Sequence, residues 1–138
     1  MTPGCTALMQ GRSTLADVVL VVEDDRDTRE LLESVLRLAG FDVVSCVDVP
    51  AARVALAQRR PDVVLLDFML PGEDGLSLCS WLGQNPDTAD LPRILYTARD
   101  EPAIRRAARE AGCDDFLVKP TPNQTLVERL RRAMDRRR

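Results

Sequence analysis

Five short runs of apolar residues alternate with five amphipathic stretches from Asp17 onward. The runs are Val18 to Val22, Asp42 to Cys46, Val63 to Leu66, Ile94 to Tyr96 and Phe116 to Val118. Their nearly continuous apolar character is typical of strands buried on both faces, as in a parallel sheet covered by helices. The alternation therefore predicts a doubly wound, three-layer α/β domain with a five-stranded parallel sheet.

The amphipathic stretches carry helix start and stop signals. Asp27 and Glu30 form a capping-box pattern for the first helix, and Gly40 follows its last apolar residues. The second helix is expected between Asp48 and Pro61, the third from about Asp74 to Gly83, and the fourth from after Asp100 to Gly112. Thr121 and Pro122 predict the N-cap and first turn of the fifth helix.

Composition and charge fit a single soluble domain. The 138 residues are 45% apolar and 30% charged. Residues 1–15 have no periodicity and predict a flexible N-terminal extension before a domain over residues 16–138. A net charge of -3 gives no general attraction to nucleic acid or to an anionic membrane. No apolar run is long enough to span a membrane, and no secretory signal is evident.

Cysteine, histidine and lysine usage narrow the chemistry. The four cysteines have no metal-like or redox-like spacing, so we expect reduced thiols in the cytoplasm. The chain has no histidine, which excludes Ser-His-Asp and Cys-His nucleophile systems, helical zinc sites and a phospho-accepting imidazole on this chain. Lys119 is the single lysine beside eighteen arginines, and its compact ammonium is a point charge that a guanidinium does not reproduce.

Polar residues follow the predicted strands at their carboxyl ends. Glu23 and Asp24 follow the first strand, Asp67 the third, Thr97 the fourth and Lys119 the fifth. Ligands bind at this edge in doubly wound sheets, near the point where the strand order reverses. Crowded carboxylates repel by about 4 kcal/mol per pair at about 4 Å, so they need a compensating charge. Mg²⁺, which prefers oxygen ligands, is the cation we expect there.

Four segments, in order, resemble the receiver domain of bacterial two-component response regulators. They are VLVVEDD with DTRELL after it, PDVVLLDFMLPGEDG, LYTARD and AGCDDFLVKP. The resemblance extends from about Asp17 to Met134. It implies a flavodoxin-like (βα)5 fold, in agreement with the periodicity.

The resemblance also implies roles for individual residues. Asp67 would be the phospho-acceptor, Glu23 and Asp24 would be the acidic pair around Mg²⁺, and the backbone carbonyl of Met69 would be a further ligand. Thr97 would hydrogen-bond the phosphoryl group and Lys119 would pair with Asp67 or its phosphate. Phe116 would be an aromatic switch, steric because it lacks a hydroxyl.

The implied partner is a sensor histidine kinase or a phosphotransfer protein that carries the donor phosphohistidine. The chain would then catalyse its own phosphorylation and dephosphorylation and act as an enzyme on nothing else. A weak homodimer through the fourth helix, fifth strand and fifth helix is a further expectation. Asp115 with Arg129, and Glu110 with Arg131, are candidate ion pairs across that interface.

Three other interpretations compete with this one. A phosphorylation-inert, receiver-like interaction scaffold is the main alternative. A haloacid-dehalogenase phosphohydrolase would need a second acid two positions after Asp67, where Met69 stands. Nucleic-acid binding through the terminal arginines is disfavoured, because such a helix end is usually a solvated complement to the helix dipole. The sequence leaves open whether the chain stands alone or is a piece of a larger regulator.

Overall fold

The computed structural model describes residues 16–137, so the extension predicted for residues 1–15 lies outside the described residues. The strands are β1 (Val18–Val22), β2 (Asp42–Cys46), β3 (Val63–Leu66), β4 (Arg93–Thr97) and β5 (Asp115–Val118). The helices are α1 (Arg26–Leu38), α2 (Val49–Gln58), α3 (Gly75–Gln84), α4 (Pro102–Glu110) and α5 (Asn123–Arg137). The strands form one parallel sheet in the order β2-β1-β3-β4-β5, which confirms the predicted fold class.

Two apolar layers cover the sheet. Val19 and Val21 of β1 point to the layer that α1 and α5 complete, whereas Leu20 and Val22 point to the layer of α2, α3 and α4. Successive side chains of a strand alternate between faces, so each strand supplies both layers. This two-sided burial explains why the strands read as continuous apolar runs.

The strand order reverses at β1, whose neighbours are β2 on one side and β3 on the other. The chain leaves β1 at Glu23 and leaves β3 at Asp67, and Asp67 N donates to Val22 O at 3.1 Å. The two acidic residues therefore lie side by side at the crevice where doubly wound sheets bind ligands.

Two predicted helix caps are wrong. Asp25, not Asp27, is the N-cap of α1, because the Asp25 carboxylate accepts from the Thr28 amide at 2.9 Å and from the Thr28 hydroxyl at 2.7 Å. Asp27 lies in the first turn. Thr121 does not cap α5, because the helix begins two residues later at Asn123; the Thr121 hydroxyl donates to the Val118 carbonyl at 2.7 Å.

Other predicted boundaries agree with the structure. Asp48 and Asp74 cap α2 and α3, and Gly40 and Gly112 follow α1 and α4 with φ values of 99° and 94°, where glycine is favoured. The Lys119–Pro120 peptide bond is cis. Over residues 16–137, none of the helices has the length and apolar character that crossing a bilayer requires.

Candidate functional site

The Lys119 ammonium joins the acidic residues of two strands. Its Nζ lies 2.6 Å from Oε1 of Glu23 and 2.8 Å from Oδ2 of Asp67. Glu23 is 3% exposed and Asp67 is 8% exposed, whereas the Lys119 side chain keeps 20% of its surface in contact with solvent. One cation thus compensates two buried carboxylates, and the group keeps an excess negative charge.

Burial and charge oppose each other at this site. Burial raises the pKa of Glu23 above its ordinary value of 4.5, and the hydrogen bond and charge of Lys119 only partly offset that rise. Burial alone would lower the pKa of Lys119, but its hydrogen bonds to Asp67 and Glu23 outweigh burial and raise it. Lys119 is therefore charged at neutral pH, and burial keeps the pKa of Glu23 raised although the ammonium is in contact with it.

Backbone amides hold the remaining carboxylate oxygens. The Met69 amide donates to Oδ1 of Asp67 at 3.0 Å, and the Asp25 amide donates to Oε2 of Glu23 at 3.2 Å. Each carboxylate thus has one oxygen on the lysine and the other on the chain that follows its own strand. These hydrogen bonds fix the orientation of both carboxylates. They leave lone pairs on the carboxylate oxygens for a further ligand.

Gly75, the first residue of α3, packs directly on the backbone of Asp67. A Cβ added to Gly75 would overlap the Asp67 carbonyl oxygen and would lie 3.2 Å from Cδ1 of Leu95. The Gly75 amide also donates to the Phe68 carbonyl at 3.0 Å. The start of α3 therefore supports the segment that presents the Asp67 side chain, and a glycine is required for that close approach.

The two loops that carry the acids are tied down by arginines. Arg29 of α1 donates to the carbonyls of Glu23 and Asp24, at 3.0 and 3.3 Å. Arg53 of α2 makes a two-bond ion pair with Glu73 of the β3–α3 loop, at 2.8 and 2.9 Å. Such bidentate pairs fix orientation as well as distance.

Thr97 and Asp24 occupy different environments. Thr97 is fully buried at the end of β4, its carbonyl accepts from the Lys119 amide at 2.9 Å, and its hydroxyl accepts from the Arg99 amide at 3.2 Å. Asp24 is exposed at the end of β1, beside the buried Glu23. The structure thus brings Lys119, directly after β5, next to Thr97 at the end of β4 and leaves Asp24 exposed to solvent.

Phe116 lies on β5 beneath an arginine of α4. The guanidinium carbon of Arg105 is 4.6 Å from the centre of the Phe116 ring, within the range of a cation–π contact. The ring and Arg105 also line a cavity of about 190 Å³ between α4 and β5. The aromatic position named from the sequence is therefore half-buried and has space beside it.

The carboxylate oxygens and the negative charge of this site suit a hard divalent cation. Glu23 and Asp67 offer carboxylate oxygens at one point, and burial has left Glu23 incompletely compensated. Within residues 16–137, however, no three acidic or thiol side chains converge closely enough to hold a metal ion in the arrangement observed. The structure brings two of the three predicted carboxylates together and leaves Asp24 outside the pair.

The residues named for homodimer ion pairs have partners within their own chain. Arg129 forms a two-bond ion pair with Asp115 of its own chain, with Nη2 to Oδ1 at 2.7 Å. Arg131 donates to the Ala39 carbonyl at 2.8 Å and covers the Phe41 ring, so it faces α1 and the start of β2 rather than α4. The Glu110–Arg131 pair expected between two copies of the chain stays a prediction.

Known proteins resemble this chain in sequence and in fold. A family model described as the response regulator receiver domain matches residues 19–131. The transcriptional regulatory protein GltR of Pseudomonas aeruginosa is 40% identical over 118 residues, which are 86% of this chain and 49% of that protein. This chain thus spans about half the length of the curated relatives it matches.

Two solved structures are also similar. A putative response regulator from Chloroflexus aurantiacus is 36% identical with a TM-score of 0.84, over 87% of this chain and 98% of that one. The receiver domain of the sensor histidine kinase PA1611 from Pseudomonas aeruginosa, with a magnesium ion coordinated in its active site cleft, is 28% identical with a TM-score of 0.81, and the same shares of the two chains are covered.

Fold and site together define a parallel α/β signalling domain with an acidic centre at its switch point. The chain belongs to the response regulator receiver domain family of two-component systems, as the sequence motifs indicated.

The sequence did not identify several residues that support this site. Gly75 carried a usable signal, because glycine in the first turn of a helix is disfavoured without a structural reason. Arg29, Arg53 and Tyr96 carried none, since their partners are distant in sequence or are backbone atoms. The Tyr96 ring lies 5.5 Å from Nζ of Lys119, and its hydroxyl accepts from the Thr121 amide.

Proposed function

We propose that this protein accepts a phosphoryl group on Asp67 from the phosphohistidine of a sensor histidine kinase or a phosphotransfer protein. The observation that carries the proposal is the Lys119 ammonium held between Asp67 and Glu23, in a crevice at the carboxyl ends of the strands. Both carboxylates are buried around a single ammonium, an arrangement that costs stability unless it has a use.

Phosphoryl transfer suits residues of these types. An Asp67 carboxylate oxygen attacks phosphorus, the bond from phosphorus to the donor imidazole nitrogen breaks, and that nitrogen retains the bonding electron pair. Such a transfer depends on in-line positioning and charge neutralisation more than on acid–base help. Lys119 neutralises charge on the acyl phosphate oxygens. The hydroxyl of Thr97, the buried last residue of β4, donates a hydrogen bond to the phosphoryl group.

Magnesium dependence is part of the proposal. Glu23, Asp24, Asp67 and the Met69 carbonyl would hold Mg²⁺, and the ion supplies charge neutralisation at the phosphoryl oxygens when bound. Support comes from the two buried carboxylates of this chain that share one ammonium and from the related PA1611 receiver domain with its magnesium ion. Asp24 already lies next to Glu23 in the chain.

The protein acts as a switch rather than as an enzyme on other substrates. Phosphorylation of Asp67 changes the hydrogen-bond partners available to Lys119 and Thr97. Phe116 then changes position at the surface formed by α4, β5 and α5. A homodimer through that face would have to form without the Asp115–Arg129 pair, which is satisfied within the chain. The cytoplasm is the compartment we propose, because free thiols suit a reducing environment.

An inert scaffold is the alternative function. It predicts the same fold and the same relatives but no phosphorylation. The resident charge at Lys119 disfavours it, because an inert domain gains nothing from burying Glu23 and Asp67 around one ammonium.

Intact-mass spectrometry after incubation with acetyl phosphate separates the two functions. With Mg²⁺ present, we expect wild type to gain one phosphoryl group and Asp67→Asn to gain none. Asp90→Asn, which changes an exposed acid paired with Arg60, is the matched control and should behave as wild type. An unmodified wild type that is folded by circular dichroism would favour the scaffold.

A further inference from the structure

Two cysteines distant in sequence meet beneath α4. Cys79 of α3 and Cys113, in the turn between α4 and β5, are 34 residues apart, and their sulfurs lie 2.8 Å from each other. Either thiol can donate to the other, and both are free cysteines. A disulfide has its sulfurs at about 2.05 Å, so bond formation needs a movement of roughly 0.8 Å.

The two thiols differ in access. Cys79 is fully buried in the layer between the sheet and α3, whereas Cys113 is partly exposed. Cys113 also lines the cavity of about 190 Å³ that contains the Arg105 and Phe116 side chains. A small solute can therefore reach Cys113, and Cys79 is reached through Cys113.

A buried arginine accompanies the thiols. Arg93 of β4 is 3% exposed, and its guanidinium is held by the carbonyls of Gly112 and Ala89, at 3.1 and 3.0 Å. Its Nη1 has no hydrogen-bond partner among the residues the structure describes, although it is buried. Burying a charged N–H group without a hydrogen-bond partner lowers the stability of the fold. The Arg93 guanidinium bears this cost beside the two thiols.

The contact with Cys113 and the burial of Cys79 favour the protonated form of the Cys79 thiol. The hydrogen bond with Cys113 and burial raise the pKa of Cys79 well above its ordinary value of 9.0, and the Asp114 charge adds to this while the Arg93 charge opposes it. Cys79 thus stays a thiol at neutral pH. It attacks only a sulfur that is already activated and already in contact.

We propose that Cys79 and Cys113 form a redox-active dithiol that hydrogen peroxide converts into an intramolecular disulfide and that a thiol reductant restores. The Cys113 sulfur attacks one peroxide oxygen, the O–O bond breaks, and water leaves once the second oxygen has taken the thiol proton. Cys113 is then a sulfenic acid, oxidised by two electrons. The Cys79 sulfur attacks the Cys113 sulfur, its proton goes to the departing hydroxyl, and a second water is released.

The bond would tie α3 to the turn that follows α4. This turn lies beside the Arg105–Phe116 contact, in the same cavity, so oxidation restrains the segment between α4 and β5. The dithiol is on different residues from the Lys119 site and does not depend on phosphorylation of Asp67. Disulfides in reducing compartments are usually transient and redox-sensing, which fits a pair that is free in the structure.

Peptide mapping of the peroxide-treated full chain tests the proposal. After hydrogen peroxide treatment and alkylation in denaturant, wild type should carry two fewer alkyl groups than the reduced protein, and a peptide joining Cys79 to Cys113 should be found. Dithiothreitol should restore both alkylation sites. Cys46→Ala, at another buried cysteine, should give the same cross-link as wild type.

Single-thiol variants establish the order of the two steps. In Cys79→Ala, the Cys113 sulfenic acid should accumulate and be captured by dimedone, whereas Cys113→Ala should leave Cys79 unmodified. Cross-linking through Cys5 alone, or overoxidation of Cys113 in folded wild type with no Cys79–Cys113 peptide, would overturn the proposal. Because both of these results come from wild type, a variant that fails to fold does not remove the test.

Discussion

The first residue of α3 and the carbonyl of Asp67 are in such close contact that Gly75 has no room for a side chain. Gly75 lies eight positions after Asp67, and the intervening loop folds back so that the Gly75 amide donates to Phe68. Asp67 is thus positioned by the helix that follows it as well as by its own strand.

Gly75→Ala is expected to destabilise the domain and to slow phosphorylation. The added Cβ forces the Asp67 backbone to move, which costs about 1–3 kcal/mol in a packed site. Because phosphoryl transfer is sensitive to sub-ångström placement, the rate with acetyl phosphate should fall roughly tenfold to a hundredfold. Urea unfolding and intact-mass time courses measure the two effects.

Gly83→Ala in the same helix is the matched control. Its new Cβ would approach only Arg93, at 4.0 Å, so stability should be unchanged or higher by up to about 1 kcal/mol. A Gly75→Ala protein as stable and as reactive as this control would show that the close approach has no functional weight.

Lys119→Met should lower stability in a pH-dependent manner. Removal of the ammonium leaves two buried carboxylates uncompensated, at a cost of about 1–3 kcal/mol near pH 7.5. It also removes the contacts that hold the pKa of Glu23 down, so this pKa rises further above 4.5 in the folded variant.

The sign of the pH effect follows from proton binding. Between the unfolded pKa of Glu23, near 4.5, and its higher folded value, the folded variant binds more protons than the unfolded chain, so its stability falls as pH rises. The raised pKa of Lys119 keeps the wild-type pair intact until the pH passes above 10.5. Chemical denaturation in EDTA should therefore show a larger wild-type advantage at pH 8 than at pH 5. A constant difference would contradict the assigned pairing.

The Asp115–Arg129 pair should stabilise the monomer modestly. Burial works against the charge of Asp115, but the Arg129 hydrogen bonds outweigh it and lower the pKa of Asp115 below 3.8. We expect Asp115→Asn to cost about 1 kcal/mol at neutral pH, because solvent screens a partly exposed pair. The stabilisation by the pair is present above pH 3.8 and is lost as the pH falls through the lowered pKa of Asp115 in the folded state.

Glu110→Gln, at an exposed acid ending α4, is the control for thermal unfolding and should be near wild type. Equal melting temperatures for the two variants at neutral pH would reject the pair.

Magnesium affinity should depend on Asp24 although Asp24 is outside the carboxylate pair. We expect Asp24→Asn to weaken Mg²⁺ binding at least severalfold in isothermal titration calorimetry, because it removes one of few anionic ligands. Asp27→Asn changes an exposed acid three residues further on, in the first turn of α1, and should leave the affinity unchanged. Equal losses of Mg²⁺ affinity in the two variants would mean that Asp24 acts through its overall negative charge and does not bind the ion directly.

The sequence predicted the fold from apolar runs that correspond closely to β1, β2 and β3. It shortened β4 and β5, because Arg93, Thr97 and Asp115 are polar strand residues that the apolar pattern does not include. The residues at the strand ends were predictable, since a parallel sheet brings its carboxyl ends to one edge.

Contacts set by tertiary packing were beyond the sequence. The capping-box spacing indicated Asp27, whereas the backbone at the end of β1 places Asp25 at the N-cap of α1. The Cys79–Cys113 contact joins elements whose spacing carries no known motif. The contacts of Arg131 with Phe41 and with the Ala39 carbonyl also join elements that are distant in sequence.

The phosphorylation site itself is the central claim, and borohydride reduction locates it directly. Reduction converts an aspartyl phosphate to homoserine, which peptide sequencing by mass spectrometry identifies by position. After treatment with acetyl phosphate and Mg²⁺, we predict homoserine at position 67 and unreduced aspartate at positions 24 and 62. Homoserine at another position, or at none in folded protein, would contradict the account of Asp67 and Lys119 as a phospho-accepting site.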